Sequence, residues 1–414
     1  MYFHQNLEQL PAMMGEVTKF TNCYILRDHN IIKEDILVRD GKFLDPEPLF
    51  FDERKGPEKV VDCHGLLLTP GLIDIQINGG FGVDFSHDIR TQEQADKCLG
   101  IVAKGLISYG VTSFCPTLVT SPKTAYHQMI PFIKKNKGSE DGAEIIGLHL
   151  EGPFISPQKK GAHPIDCIRE LKNGFQDILE MYGSLEDVAI ITLAPELDQD
   201  CSVIKKCSQR GIAVSLGHSE ATLKQAEAAF RAGARLITHL FNAMTVFHHR
   251  ADPGIMGLLT SKNIDDNPIF YGLIADGIHT HPTALRMAVR SNMQGLVAVS
   301  DAISAMGLSD GKYNLGQYEI EVKGPRAVIA GTETLCGASV TVYDAVRNLV
   351  KLADCSIVEA IESATLHPAK ALGIEHIKGT LAFGADADFI LIDKETLDLS
   401  STWIGGQCVF QKNA

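Results

Sequence analysis

The sequence predicts an α/β protein: a (β/α)8 TIM-type barrel with a small β domain formed by both termini. Eight short apolar runs alternate with helical patterns across residues 68–374, as expected for a parallel sheet covered by helices. No GxGxxG motif follows the first run, which disfavours an open doubly wound sheet. The chain ends, residues 20–67 and 375–414, contain short alternating segments separated by Gly and Asp. We therefore expect those two ends to pair in one domain beside the barrel.

The eight apolar runs are the predicted barrel strands. Each is rich in β-branched residues and short enough to be a buried strand. In chain order they are LTPGLIDIQI (68–77), VTSFCPTL (111–118), EIIGLHLE (144–151), VAIITLAPE (188–196), IAVSLGH (212–218), RLITHLF (235–241), IFYGLIAD (269–276) and LVAVSD (296–301).

The segment SEATLKQAEAAFRAGA illustrates the connecting helices. Its residues Leu223, Ala226 and Phe230 recur at helical spacing and predict one buried face. Ser219 is the predicted N-cap, and Gly233 is the predicted stop.

Composition excludes several classes of partner. The chain has 414 residues and a net charge of −13, which argues against nucleic acid or an anionic membrane as partner. The N-terminal sequence has no signal-peptide pattern and no window is apolar enough to span a membrane. Ten cysteines without a regular framework are typical of reduced thiols, so we expect a cytoplasmic protein. Residues 1–19 carry no structural signal and are predicted to be an extension.

Polar residues cluster at the carboxyl ends of the predicted strands. Since catalytic residues of (β/α)8 barrels lie at this end, the clustering predicts an active site there. The residues concerned are Gln76, Asn78, Glu151, His218, His239, Asp276, His279 and Asp301.

Three of these residues could bind a metal ion. Glu151, His218 and His239 follow three separate strands and form a set suited to one divalent cation, Zn²⁺ first, with Fe²⁺ and Mn²⁺ as alternatives. A cation would also neutralise Glu151, which otherwise is costly to bury. Any one of them, such as His218, could alone be a hydrogen-bonded core residue, but the three together favour the metal.

Asp301 ends the last predicted strand. Without a metal it could be the N-cap of a following helix. Beside a metal it becomes the candidate general base for a water molecule.

The loop of residues 238–254 offers candidate ligands for an anion. It contains Asn242, Ala243 and the cluster His248, His249 and Arg250, and arginine is well suited to phosphate or carboxylate. A surface basic turn is the alternative interpretation.

The motifs GLIDIQINGG, GLHLEGPFIS, KKGAHP, VSLGHSEA, THLFNAM, HHRADPG, IADGIHTHP and AVSDAI resemble, in this order, the N-acetylglucosamine-6-phosphate deacetylases of the amidohydrolase superfamily. The resemblance runs from about residue 20 to the end. It implies a barrel beside a β-sandwich, hydrolysis of the N-acetyl group of a phosphosugar, and a homodimer in which the second subunit completes the phosphate site.

The resemblance also implies roles for individual residues. Glu151, His218 and His239 match the metal ligands, Asp301 matches the catalytic acid and base, and His163 matches the histidine near the scissile amide. The implied substrate contacts are Ala162, His163, Asn242, Ala243, Arg250, Asp276, Gly277, Ile278, His279, Leu335, Cys336 and Gly337. Gln76 and Asn78 stand where many amidohydrolases have His-x-His, which favours one metal ion per subunit and leaves a second, weaker ion open.

Other functions remain open at this point. The same chemistry could act on N-acetylgalactosamine 6-phosphate or on a cyclic amide, although cyclic-amide hydrolases usually have a carboxylated lysine and two metals. A barrel retained as a non-catalytic scaffold is the alternative outside enzymes.

Overall fold

The computed structural model describes residues 15–264 and 269–412. The predicted extension of residues 1–19 therefore lies mostly outside the described residues. Its last part differs from the prediction, because Thr18–Thr21 is a strand of the terminal domain.

Eight parallel strands form the predicted barrel. Neighbouring strands are paired in chain order, and strand 1 meets the segment after strand 8 through a parallel bridge between Ile77 and Ala302. The predicted fold class is confirmed. Barrel strands 1 to 8 are Leu72–Ile77, Val111–Val119, Leu148–Glu151, Val188–Leu193, Ala213–Leu216, Ala234–Ile237, Phe270–Leu273 and Leu296–Ala298. The short strand Glu144–Ile145 is added beside strand 2.

Helices follow most barrel strands. The α-helices of the barrel are Phe85–Asp88, Gln92–Ile107, Lys123–Met129, Phe175–Tyr182, Ser202–Ser208, Leu223–Arg231, Pro282–Ser291, Val342–Ala353, Ile357–Glu362 and Leu366–Leu372. The 3-10 helices are Ile130–Phe132, Pro157–Lys159, Ile165–Cys167, Pro195–Leu197, Gly254–Leu259 and Met293–Gly295. In the described residues between strands 6 and 7, the chain forms the 3-10 helix Gly254–Leu259 in place of an α-helix. None of the described helices has both the length and the apolar character needed to cross a membrane.

The helix after strand 5 corrects one detail of the prediction. It begins after Thr222, whose hydroxyl accepts from the Gln225 amide while the Gln225 side chain accepts from the Thr222 amide. This capping box satisfies two free amides at once. Ser219, the predicted N-cap, instead donates to Glu196 at 2.7 Å.

Both termini form two sheets around one core. The four-stranded sheet contains Thr18–Thr21, Ile36–Arg39, Lys42–Leu44 and Lys59–Asp62, and the six-stranded sheet contains Tyr24–Arg27, Asn30–Lys33, Leu67–Pro70, Phe389–Ile392, Leu399–Ile404 and Gln407–Gln411. Between strands Lys42–Leu44 and Lys59–Asp62 lie the short α-helix Pro46–Pro48 and the π-helix Leu49–Glu53.

Aromatic side chains fill the core between these sheets. Phe20 from the first sheet packs edge-on against Phe389 and Trp403 from the second, with ring centroids 5.0 Å apart in both pairs. The run 68–77, predicted as one barrel strand, is divided at Gly71. Leu67–Pro70 pairs with strands of the terminal domain, and only Leu72–Ile77 enters the barrel.

A third sheet, not predicted from the sequence, covers part of the barrel mouth. Strands Gly311–Leu315, Tyr318–Lys323 and Arg326–Ile329 are antiparallel neighbours. Their buried residues Leu315, Ile320 and Val322 share an apolar cluster with Val119 and Ile303 from the ends of barrel strands 2 and 8. We call these three strands the mouth sheet.

The mouth also contains a short hairpin after barrel strand 1. Gly79–Gly80 and Val83–Asp84 pair antiparallel.

Candidate metal centre and active site

The polar residues at the strand ends surround one small cavity of about 140 Å³. Most of the predicted site residues line it, so the structure brings them together at the barrel mouth. The lining consists of Asn78, Val119, Glu151, Gly161, Ala162, His163, His218, His239, Asn242, Ala243, Ile274, His279, Asp301, Leu315, Leu335, Cys336 and Gly337.

Three atoms that could hold a metal ion meet in this cavity. Glu151 Oε1 lies 3.1 Å from His218 Nε2 and 3.0 Å from His239 Nε2, and the two nitrogens are 3.0 Å apart. All three residues are at most 3% exposed. His163 is part of a looser group, with a ring nitrogen within 4.8 Å of ligand atoms of Glu151 and His218.

The hydrogen-bond partners of His218 indicate that these atoms suit a cation. His218 Nδ1 faces the carbonyl oxygen of Lys159 at 2.8 Å, which can only accept, so His218 Nδ1 carries a proton. In a neutral imidazole, Nε2 is then an acceptor. It points at a carboxylate oxygen, also an acceptor, and at a second imidazole. Lone pairs converging in a buried site are what a divalent metal ion requires.

The charges of this group are coupled. Burial opposes ionisation of Glu151, but the adjacent imidazoles of His218 and His239 keep the pKa of its carboxyl well below the ordinary value. Burial likewise opposes protonation of His239, yet its bond to Glu151 raises the pKa of the imidazole. Glu151 is therefore the anionic centre of the cluster.

Asp301 lies beside the candidate metal ligands and is hydrogen-bonded to two amides. Its Oδ1 accepts from Asn78 Nδ2 at 2.8 Å and from Gln76 Nε2 at 3.4 Å, and Gln76 also donates to Glu151 Oε2 at 3.2 Å. Burial and the nearby charge of Glu151 raise the pKa of Asp301 to about 6. The helix N-cap alternative fails, since the next element along the described chain is strand Gly311–Leu315.

Backbone strain marks the same residues. His218, His239 and Asp301 have φ angles of 49°, 28° and 46°, a region that residues with a side chain seldom adopt. Such strain is retained where surrounding structure fixes it, and it concentrates at functional sites. Each of these residues leaves its strand by a sharp turn that directs its side chain to the common centre.

His163 reaches the cavity from the loop after barrel strand 3. Its Nδ1 lies 2.6 Å from the hydroxyl of Thr120 and accepts from the Thr120 amide at 3.3 Å. Its ring centroid is 4.4 Å from that of His218. Burial lowers the pKa of His163 to about 3, so this imidazole is neutral.

His279 is held by a neighbouring carboxylate. Asp276 accepts from His279 Nδ1 at 2.7 Å and from the amides of Ile278 and His279 at 2.8 Å each. Burial would raise the pKa of Asp276, but its bond to His279 lowers it. Asp276 thus orients His279, which lines the cavity, whereas Asp276, Gly277 and Ile278 do not line it.

Arg250 lies apart from this centre. It is exposed and does not line the cavity. Its neighbours Val246 and Phe247 are 80% and 54% exposed. Within a single chain, Arg250 is therefore not placed to bind an anion in the cavity, although the sequence had predicted such a contact.

Sequence reasoning missed several groups of the site. Val119, Ile274 and Leu315 supply its apolar wall, and the Lys159 carbonyl orients His218. Val119 directly follows a predicted strand and Ile274 lies near the end of another, so their position was a usable signal. Leu315 belongs to the mouth sheet, which was not predicted.

Two other features of the described residues lie outside this site. Glu144, Asp386 and Asp388 have clustered oxygens, but the ammonium of Lys378 occupies their centre, 2.7 Å from Glu144 and 2.8 Å from Asp386. A larger cavity of about 460 Å³ is lined by Pro70, Glu362 and Lys370, among others, near the amino end of barrel strand 1. It contains none of the residues of the candidate metal centre.

Comparison with known proteins agrees with this geometry. Residues 67–411 match the model of the amidohydrolase family. The rat protein named N-acetylglucosamine-6-phosphate deacetylase is 52% identical over 402 residues, which cover 97% of each chain. An Escherichia coli O157:H7 protein named N-acetylgalactosamine-6-phosphate deacetylase is 34% identical over 392 residues, covering 93% of this chain and 98% of that one.

A solved structure matches over the same extent. The N-acetylglucosamine-6-phosphate deacetylase from Pasteurella multocida superposes with a TM-score of 0.80 at 29% identity, covering 95% of this chain and 99% of that chain. The family model and the relatives thus span the barrel and much of the terminal domain. The chain belongs to the amidohydrolase family.

Proposed function

We propose that this protein hydrolyses the N-acetyl group of N-acetyl-D-glucosamine 6-phosphate, giving D-glucosamine 6-phosphate and acetate, in amino-sugar metabolism. The observation that carries the proposal is the buried group of Glu151, His218 and His239 beside Asp301. Such a set is suited to activating water for attack on an amide. Relatives that share about half of the sequence along the whole chain bear the name of this activity.

The metal ion is the first part of the proposal. Glu151 Oε1, His218 Nε2 and His239 Nε2 are 3.0–3.1 Å apart, close to the edge of about 3.3 Å for a tetrahedron of ligands around Zn²⁺. We therefore assign one divalent ion per subunit to these three residues, Zn²⁺ before Fe²⁺ or Mn²⁺. Gln76 and Asn78 donate amide protons toward Asp301, an arrangement that favours hydrogen bonding over metal ligation there.

The mechanism follows from the positions of the chain's own groups. A bound divalent cation supplies Lewis acidity and lowers the pKa of water in the site. Asp301, held on Oδ1 by two amides, receives the proton of the attacking water on its other oxygen. It then returns that proton to the departing amine, which is a poor leaving group without it. His163 donates a hydrogen bond to the oxygen of the scissile amide as negative charge develops there.

The sugar is bound by the cavity wall. Asn242, Ala243 and His279 lie on one part of the lining, and Leu335, Cys336 and Gly337 lie on another. Contacts made with the sugar and its phosphate, away from the amide, position the reacting carbonyl and reduce the entropy cost of reaction.

A homodimer belongs to the same proposal. Arg250, Val246 and Phe247 are exposed on one loop at the mouth, and an apolar patch beside an arginine is typical of a protein interface. Placing this loop against a second subunit would bring Arg250 to the phosphate of the partner's substrate.

A cytoplasmic location is also proposed, supported by ten free cysteines, most of them buried.

The alternative substrates are less well supported. The relative named for N-acetylgalactosamine 6-phosphate is 34% identical, against 52% for the rat relative named for the glucosamine compound. Cyclic-amide hydrolysis is disfavoured because the strand-3 position holds Glu151. The complete set of candidate metal ligands and Asp301 also argues against a non-catalytic scaffold.

Acetate release from a panel of substrates tests the proposal. The panel contains N-acetylglucosamine 6-phosphate, N-acetylgalactosamine 6-phosphate and unphosphorylated N-acetylglucosamine, each with and without a chelator. We expect the first compound to give the highest kcat/KM, and chelation to abolish its turnover. Preference for another compound, or full activity after metal removal, would overturn the assignment.

A further inference from the structure

We propose that Thr120 is a positioning residue that fixes the tautomer of His163, so that His163 presents Nε2–H to the substrate. The inference rests on the proposed function for its consequence, but the tautomer itself is a property of the folded chain. Thr120 directly follows barrel strand 2 and is 1% exposed.

The hydrogen bonds of Thr120 determine where the imidazole proton lies. The backbone amide of Thr120 donates to His163 Nδ1 at 3.3 Å. A backbone N–H can only donate, so this contact favours an unprotonated Nδ1, but at 3.3 Å it is too long to fix the tautomer alone. The Thr120 hydroxyl lies 2.6 Å from the same nitrogen, and it therefore acts as a second donor to it.

The remaining proton of the ring is then on Nε2. With Nδ1 as an acceptor, a neutral imidazole carries its one proton on Nε2. Among the described residues, none forms a hydrogen bond with Nε2, while His163 lines the cavity. Its N–H is thus free to donate to a carbonyl oxygen, as an oxyanion-stabilising group must.

A glycine in the HLEGPF motif leaves the space that Thr120 occupies. A Cβ added to Gly152 would lie 2.2 Å from Thr120 Oγ1, and Gly152 has a φ of 74°. The hydroxyl also lies 3.4 Å from the carbonyl oxygen of Glu151. Because the contact with His163 is 0.8 Å shorter (3.4 against 2.6 Å), the single hydroxyl proton is directed to His163.

The tautomer can be observed directly. Long-range ¹⁵N–¹H correlation spectra of histidine-labelled, Zn²⁺-loaded protein distinguish protonated from unprotonated ring nitrogens, and His163→Gln identifies the His163 signals. We expect an unprotonated Nδ1 and a protonated Nε2. A protonated Nδ1 would overturn the proposal, whether or not the protein proves to be a deacetylase.

Two variants test the role of the hydroxyl. Thr120→Val keeps the shape and the amide but removes the hydroxyl, and Thr120→Ser restores the hydroxyl. We expect Thr120→Val to mix the two tautomers and to lower kcat roughly 10-fold or more with little change in KM, and Thr120→Ser to recover the parent spectrum and most of kcat. If Thr120→Val kept the parent tautomer and kcat, the positioning role would be wrong. If it failed to fold, the Ser variant and the parent spectrum would still decide the tautomer.

Discussion

Asp301 shows how the surroundings of one side chain define its chemistry. Two amide groups donate to the same oxygen, Oδ1, so the other oxygen is left to exchange a proton. The pKa of about 6 lies close to neutrality, where a group can both take and return a proton efficiently.

Replacing Asp301 by Asn separates proton transfer from binding. The amide is nearly isosteric, so we expect Asp301→Asn to fold and to retain its metal ion. Loss of a general acid and base costs about 10²–10⁴-fold in turnover. Acetate release and metal analysis on the same preparation measure both properties, and a kcat within a few-fold of the parent would rule out Asp301 as the base.

At the scale of elements, the mouth sheet closes the cavity on one side. Ile320 is fully buried in the apolar cluster shared by the sheet and the barrel, and Leu315 of the first strand lines the cavity. The sheet therefore couples its own packing to the shape of the substrate site.

Truncating Ile320 tests this coupling. Ile320→Ala should cost about 2–5 kcal/mol in unfolding free energy and raise KM several-fold while leaving the metal content intact. Lys312→Ala is a matched control on the same sheet, since its bond to Glu319 joins side chains that are 66% and 53% exposed. Denaturant titration and steady-state kinetics measure these effects. An unchanged KM in a clearly destabilised Ile320 variant would show that the sheet does not shape the site.

The sequence predicted the elements that belong to the repeating strand–helix pattern and missed those that lie outside it. Eight apolar runs alternating with helical patterns were enough to place Glu151, His218, His239 and Asp301 at strand ends, because parallel strands bring their carboxyl ends to one edge. The mouth sheet was missed even though GKYNLGQYEIEVKGPRAVI alternates and contains turn residues. It follows the last barrel strand, where the repeating pattern predicts only a helix.

Local errors had local physical causes. Ser219 is followed by acidic and apolar residues like an N-cap, but the capping box of Thr222 and Gln225 satisfies two amides and displaces the start of the helix. The division of the first run at Gly71 could not be read from apolarity, since both halves are buried. Only the strands with which each half pairs show that Leu67–Pro70 belongs to the terminal domain and Leu72–Ile77 to the barrel.

At the scale of the whole molecule, a buried ion cluster joins the barrel to the terminal domain. Lys378 is 4% exposed in its side chain and contacts Glu144 from beside barrel strand 2 as well as Asp386 and Asp388, which precede the strand Phe389–Ile392. Burial opposes charge on Lys378, yet the three carboxylates raise the pKa of its ammonium group, and Lys378 in turn lowers the pKa of Asp386. The ammonium group of Lys378 thus balances the negative charge of carboxylates from both the barrel and the terminal domain.

Removing the ammonium group of Lys378 should lower the free energy of unfolding, because it weakens the contact between the barrel and the terminal domain. Lys378→Met removes the buried cation next to Glu144 and Asp386 and the ion-pair partner of Asp388, which costs about 3–5 kcal/mol at neutral pH. Lys137→Met is the control, because its side chain is 70% exposed and its longer bonds, 3.2 and 3.5 Å, reach the same carboxylates; we expect less than about 1 kcal/mol there. Equal losses in the two variants would contradict the account.

The effect should depend on pH in a defined direction. Because the folded-state pKa of Asp386 is lowered, its contribution is present above the ordinary carboxyl pKa and is lost as the pH falls through the folded value. Because the folded-state pKa of Lys378 is raised, the contribution of Lys378 to stability is present below the ordinary lysine pKa and is lost only at higher pH. Denaturant titrations should therefore show a constant difference between parent and Lys378→Met near neutrality that shrinks below about pH 4.

The proposed dimer gives Arg250 its role. Arg250→Ala should raise KM for N-acetylglucosamine 6-phosphate at least several-fold and reduce discrimination against unphosphorylated N-acetylglucosamine, since a bidentate contact with phosphate would be lost. Arg290→Ala, an exposed arginine on the helix Pro282–Ser291, should change neither. Steady-state kinetics with both sugars measure the effect. Retained discrimination in an Arg250 variant that is still dimeric would exclude the phosphate contact.

The central claim is that Glu151, His218 and His239 share one cation. Anomalous diffraction from crystals of the metal-loaded protein, recorded on both sides of the Zn absorption edge, tests it most directly. We predict one strong peak per chain, about 2 Å from Glu151 Oε1, His218 Nε2 and His239 Nε2. Empty density among these three atoms in fully active protein, or a peak bound by other residues, would contradict the account.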